Sequence, residues 1–155
     1  MMRLITIILL LVYTSINGGE TTIRMDDIAP PWYCAPSKLD ILESAVSYQE
    51  SRHGTITVTP QSIKEGAVGM LQIRKGMVDY LNQINGYRKY TYADRNNPIK
   101  AKEMFREFQT RYNPEYDIDY GCHIWNAGQN RVRERWHLTN KYRKEVWKYI
   151  TKNKM

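Results

Sequence analysis

Glu50 is the residue whose type and position point most directly to chemistry. The spacing of Ile41, Leu42, Ala45, Val46 and Gln49 predicts a helix running to about Ser51, and Glu50 falls at the edge of its apolar face, in the last turn. A carboxylate there meets the negative end of the helix dipole. Partial burial would act in the same direction, so both effects disfavour the charged form. A carboxyl group with a raised pKa can donate a proton near neutrality and take one back. A surface glutamate paired with Arg52 would look the same in the sequence, so position alone does not assign a role.

Three further segments keep company with it. Gly66-Ala67-Val68-Gly69-Met70-Leu71-Gln72-Ile73 places two glycines where the backbone can turn with positive φ or approach another group closely. Met70 could pack in the core or against an apolar ligand surface. Trp125-Asn126-Ala127-Gly128 ends a helix, and Trp125 can stack on a ring or fill the core while offering an indole N–H. Tyr142 shares helical spacing with Val146, which suits core packing equally well.

In their order, Glu50-Ser51, GAVGMLQI and WNAG resemble the ES, GAxGLMQI and AYNAG motifs of the SLT-type lytic transglycosylases, which share the lysozyme-like fold with goose-type lysozymes. Asn140 to Val146 resembles the family's closing NYV motif more loosely. The resemblance spans about Asp40 to Tyr149. It implies a mainly α, lysozyme-like single domain with a short irregular or β excursion after the catalytic helix. The implied reaction is cleavage of the β-1,4 bond between N-acetylmuramic acid and N-acetylglucosamine, with Glu50 as general acid and then base. Ser51 would orient an N-acetyl group or the glutamate. Gly69, Met70 and Gln72 would lie along the saccharide groove, Met70 on the glucosamine-type ring and Gln72 bonded to its substituents. Trp125 and Asn126 would face Glu50 across that groove, and Tyr142 would hold the acid in place. The chain departs from the family at Trp125, where a tyrosine is usual, and in the loop from Arg52 to Glu65, where Ser62 stands one residue further from Gly66 than the family's spacing. A goose-type hydrolase and a non-catalytic wall-binding module are the alternatives. For the hydrolytic version, Asp94, Glu115, Asp117 and Asp119 are the additional acids to consider.

These residues must be positioned by helices. Met77, Val78, Leu81 and Ile84 predict a second helix ending at Asn85-Gly86, followed by a polar Tyr/Arg-rich loop to Asn97. Asn97-Pro98 and Asn113-Pro114 each place a cap residue before a proline suited to the first helical position. Ala101, Met104, Phe105, Phe108 and Tyr112 line the first of these helices; Ile118, Cys122 and Trp125 line the second, with Gly128 as its stop. A last helix is expected from about Thr139 to Lys152. Gly54 to Glu65 has β-branched alternation broken by Pro60, which predicts an irregular or hairpin-like excursion.

The amino terminus reads as a secretory signal peptide over residues 1–18, with Arg3 ahead of an apolar run from Leu4 to Val12. That run is far below the ~18 to 20 residues a membrane span needs. Residues 19–37, rich in proline, read as an extended linker, and 38–152 as the folded domain. The expected location is therefore periplasmic or extracellular, with no stable membrane span in the mature form. A formal charge of +7, from 23 basic and 16 acidic residues, suits an exported protein that meets anionic polymers. Peptidoglycan glycan strands are the expected partner, in wall turnover, a wall-crossing secretion machine or phage assembly; the leader argues against nucleic acid. His53, His123 and His137 are isolated, with no HExxH or CxxC, so no metal and no cofactor is expected. Cys34 and Cys122 could form one bridge after export, or remain a tail thiol and a buried thiol.

Overall fold

The computed structural model describes residues 35–56 and 66–155, and the described chain is mainly helical. The expected signal peptide, most of the linker, Cys34 and the excursion at 57–65 lie outside the described residues. Among the described residues five α-helices follow one another: α1 (Lys38–Ser51), α2 (Lys75–Asn85), α3 (Pro98–Tyr112), α4 (Ile118–Ala127) and α5 (Val132–Lys152). A 3-10 turn at Ala93–Asn96 precedes α3. Among the described residues the extended pairing is one antiparallel bridge between Val68 and Ile73. Residues 36 to 155 form one compact unit.

Local signals explain most helix boundaries. Ser37 caps α1 in a reciprocal box: its hydroxyl accepts from the Asp40 N–H at 3.2 Å, and Asp40 accepts from the Ser37 N–H at 2.8 Å. Asn97 caps α3, accepting from the N–H groups of Ile99 and Lys100, with Pro98 in the first turn. Gly86 closes α2, and Gly128 closes α4.

Two expected boundaries shift. Helix α4 begins at Ile118 with Asp117 as its cap, not at Asn113-Pro114. Asn113 is buried and brackets the turn with its amide: Nδ2 donates to the Asp117 carbonyl at 2.8 Å and Oδ1 accepts the Asp117 N–H at 3.0 Å. An asparagine that satisfies a turn this way is unavailable as a helix cap. Helix α5 begins at Val132 and not near Thr139. Its first two turns leave Leu138 mostly exposed and Trp136 half-exposed, so no apolar stripe announces them.

Helix α1 lies at the centre, packed against α3, α4 and α5. Its Leu42, Ala45 and Val46 join Phe105 and Phe108 of α3, Ile124 of α4 and Val146 of α5 in the core. A Cβ on Gly121 of α4 would stand 2.4 Å from the Leu42 side chain, so the two helices meet at a contact only glycine allows. Glu43 is also buried, and Lys102 at 2.9 Å and Arg106 at 2.5 Å satisfy its carboxylate from α3. The buried carboxylate must stay paired, which ties α1 to α3 at this level. The polar loop before α3 is tied down as well: Asn82 bonds both backbone groups of Tyr90 at 2.8 Å, and the buried Tyr90 donates to Glu107 at 2.7 Å.

Candidate active site

Glu50 ends up where α1, α4 and α5 converge. Tyr142, 92 positions away on α5, donates its phenol hydrogen to Glu50 Oε1 at 2.7 Å. Trp125, from the last turns of α4, places its indole beside the same carboxyl group. Part of the Glu50 surface remains open to solvent, but the carboxyl end is densely surrounded by protein. Burial pushes its pKa up from 4.5 to about 7, against the opposing pull of the Tyr142 hydrogen bond, the Trp125 indole and the Arg74 charge. Tyr142 is partly buried, and burial of its hydroxyl end, followed by the neighbouring Glu50 charge, holds its phenol well above the usual value. It therefore stays a donor throughout the neutral range. Arg52 is not the partner of Glu50; its guanidinium lies over the Tyr48 ring, 4.1 Å from the centroid.

The chain leaves α1 sharply. Arg52, His53 and Gly54 all have positive φ, of 53°, 57° and 87°. Each non-glycine residue in that region costs roughly 1–2 kcal/mol, so the turn needs support. His53 supplies it, with Nδ1 3.3 Å from Ser47 Oγ and Nε2 2.9 Å from the Tyr149 hydroxyl. Tyr149 also stacks on Tyr48 at 4.3 Å, which ties the end of α1 to α5.

Ser51 is buried at 2 % exposure. Its hydroxyl donates to the Met70 carbonyl at 2.7 Å and accepts from the Gly54 N–H at 2.7 Å. It is thus a link between α1 and the GAVGMLQI segment, and no surface is left for a ligand to touch. That segment is a tight turn closed by the Val68 and Ile73 bridge, with N···O distances of 3.2 and 2.9 Å. Gly69 has φ +76°, and a Cβ there would meet the Arg95 carbonyl oxygen at 1.9 Å. The close approach that requires glycine is therefore to the protein's own backbone. Met70 is partly buried against the core. Gln72 has φ +49° and donates to the Gly69 carbonyl at 2.8 Å, within its own turn. Asn126 is exposed in the last turn of α4.

Trp125 is held by edge-on contacts with Phe105, at 4.8 Å, and Phe108, at 5.8 Å. The core thus grips the ring and sets it beside Glu50. The structure brings Glu50, Trp125 and Tyr142 together directly and attaches Met70 through Ser51. Arg95 and Arg74 were not singled out from the sequence. Arg95, 7 % exposed, donates from Nη1 to the carbonyls of Gly66 at 2.9 Å and Ile73 at 3.1 Å, and from Nε to Tyr92 at 2.9 Å. It clamps both ends of the GAVGMLQI turn. Nothing in a loop rich in arginine and tyrosine separates it from its neighbours. Arg74 directly follows the octapeptide, and that adjacency was its one available signal.

The further acids are engaged elsewhere. Asp94 accepts from the Thr91 N–H and hydroxyl at 2.7 and 2.9 Å, Asp117 caps α4, and Asp119 pairs with Arg143 at 3.0 Å; Glu115 is exposed. Among the described residues no three His, Cys, Asp or Glu side chains are grouped as metal ligands would be, and Cys122 carries a free, buried thiol. No described helix is long and apolar enough to cross a membrane. Two surface clefts, one between α2 and α3 and one along α4 and α5, include none of Glu50, Trp125 and Tyr142 in their walls. Comparison with protein families, curated proteins and solved structures returns no match.

Proposed function

We propose that the chain has the lysozyme-like fold and is a lytic transglycosylase of peptidoglycan, with Glu50 as its single acid and base. The observation that carries this reading is the buried Glu50 carboxyl, raised to about 7 and bonded by Tyr142. A group of that pKa is partly protonated at neutral pH and can work in both directions. With Tyr142 bonded to Oε1, the neutral acid carries its proton on the other oxygen. That proton passes to the glycosidic oxygen between N-acetylmuramic acid and N-acetylglucosamine as the bond breaks, while the substrate's own acetamido oxygen supports the cation-like carbon. Glu50, now a carboxylate, takes the proton of the muramyl 6-hydroxyl, whose oxygen closes the 1,6-anhydro ring. Proton and electron pair are both returned, so no further group is consumed.

The indole of Trp125 stands beside the acid where the family has a phenol, so a ring with an N–H available as a donor takes the phenol's place. The engagement of Asp94, Asp117 and Asp119 by other partners favours this route over one that activates water with a second carboxylate. The proposed site operates outside the cytoplasm, on peptidoglycan glycan strands. Digestion of purified wall sacculi followed by mass spectrometry of the soluble fragments tests it. Anhydro ends released by the native chain and absent with Glu50→Gln are expected; reducing ends would instead identify a hydrolase, and no release would leave a binding module.

A further inference from the structure

Helix α5 presents a row of basic residues on the side facing away from the core. Lys144, Lys148 and Lys152 recur every fourth residue, so their side chains stand in one row about 6 Å apart. With Arg143, Trp147, Thr151 and Asp119 of α4 they line a shallow cleft of about 780 Å³. Its negative charge is already committed: Asp119 accepts from Arg143 at 3.0 Å and from the Trp147 indole at 2.5 Å, and Glu145 pairs with Lys148 at 2.7 Å. Lys144 and Lys152 have no carboxylate partner among the described residues. A concave row of cations with its counter-charges used up attracts an anionic chain, not a single counter-ion.

We propose that this cleft binds a linear polyol phosphate, a phosphodiester polymer laid along α5 with successive phosphates against the lysine row. The spacing of that row is comparable to the phosphate repeat of an extended phosphodiester chain. Trp147, 38 % exposed, offers its ring to the aliphatic polyol between phosphates. Two other polyanions fit less well. Single-stranded nucleic acid is bound by successive aromatic platforms that stack bases, and this cleft has one aromatic residue, tethered through its N–H. An anionic bilayer is held by a helix that also buries an apolar face in lipid, and the apolar face of α5, Val146 and Ile150, is already in the core.

Fluorescence anisotropy of end-labelled poly(glycerol phosphate), titrated with the full chain over a salt series, tests the proposal. Lys144→Gln/Lys152→Gln alters two exposed side chains and leaves Glu50, Trp125 and Tyr142 untouched. The double variant is expected to bind about tenfold or more weakly, with the slope of log K against log salt reduced by about 1.4, near 0.7 for each cation removed. Arg131→Gln/Arg133→Gln, at the other end of α5, should bind like the native chain. Absence of binding by the native chain would overturn the proposal, as would an unchanged double variant. Tighter binding of single-stranded DNA or of anionic phospholipid vesicles than of the polymer would overturn the choice of occupant. Glycan cleavage by the double variant should equal that of the native chain, so failure here is distinguishable from failure of the Glu50 assignment.

Discussion

Replacing Glu50 with glutamine should make the protein more stable above neutral pH, and the size of the gain follows from the burial of the carboxyl group. In the unfolded chain Glu50 titrates at its ordinary value of 4.5, and in the folded protein at about 7. Between those values the folded state holds a proton that the unfolded state has lost, so stability falls as pH rises through the window. Each unit of difference corresponds to 1.36 kcal/mol, which makes the full penalty about 3 kcal/mol once pH exceeds both values. Glutamine cannot ionise, yet its amide oxygen still accepts from Tyr142. The variant should therefore match the native protein near pH 4 and exceed it by up to about 3 kcal/mol near pH 8, or roughly 10 °C in melting temperature for a domain of this size. Paired urea titrations at both pH values measure the difference, and other titrating groups cancel in the comparison. A variant no more stable than the native chain at pH 8 would refute the claim that burial dominates at Glu50. Loss of stability at both pH values would mean that the carboxylate is a structural ion.

Other substitutions probe the surrounding parts. Tyr142→Phe removes a hydrogen bond that favours the charged carboxylate, so the alkaline limb of the pH profile for kcat/KM should move up by about one unit; a downward move would contradict the assigned donor direction. Gly69→Ala places a Cβ 1.9 Å from the Arg95 carbonyl at a φ of +76°, and a loss of at least about 3 kcal/mol is expected in urea denaturation. Arg95→Ala leaves the carbonyls of Gly66 and Ile73 without their guanidinium donor; it should cost about 2–4 kcal/mol and speed hydrogen exchange at the Val68 and Ile73 amides, and Arg95→Lys should not restore protection because an ammonium cannot reproduce the fork.

The sequence by itself determined the elements whose causes are local. The Asn97-Pro98 start of α3 and the closing glycines of α2 and α4 each act within a few residues, so their spacing could be read directly. The apolar stripes of α1 and α3 were legible for the same reason: a helix repeats its face every three to four residues. Where a residue's partner lay beyond one turn, legibility ended. Asn113 looked like a cap until its amide was found bracketing the Asp117 backbone, and the start of α5 was hidden because Leu138 is mostly exposed and Trp136 half-exposed. Glu50 could be noticed in the sequence, but not its environment. Its pKa depends on burial contributed by three helices and on Tyr142, 92 positions away, because desolvation and hydrogen bonding are set by distance in space and not along the chain. Gly69 likewise announced a tight approach without naming what approached, and only the folded chain supplied the Arg95 carbonyl.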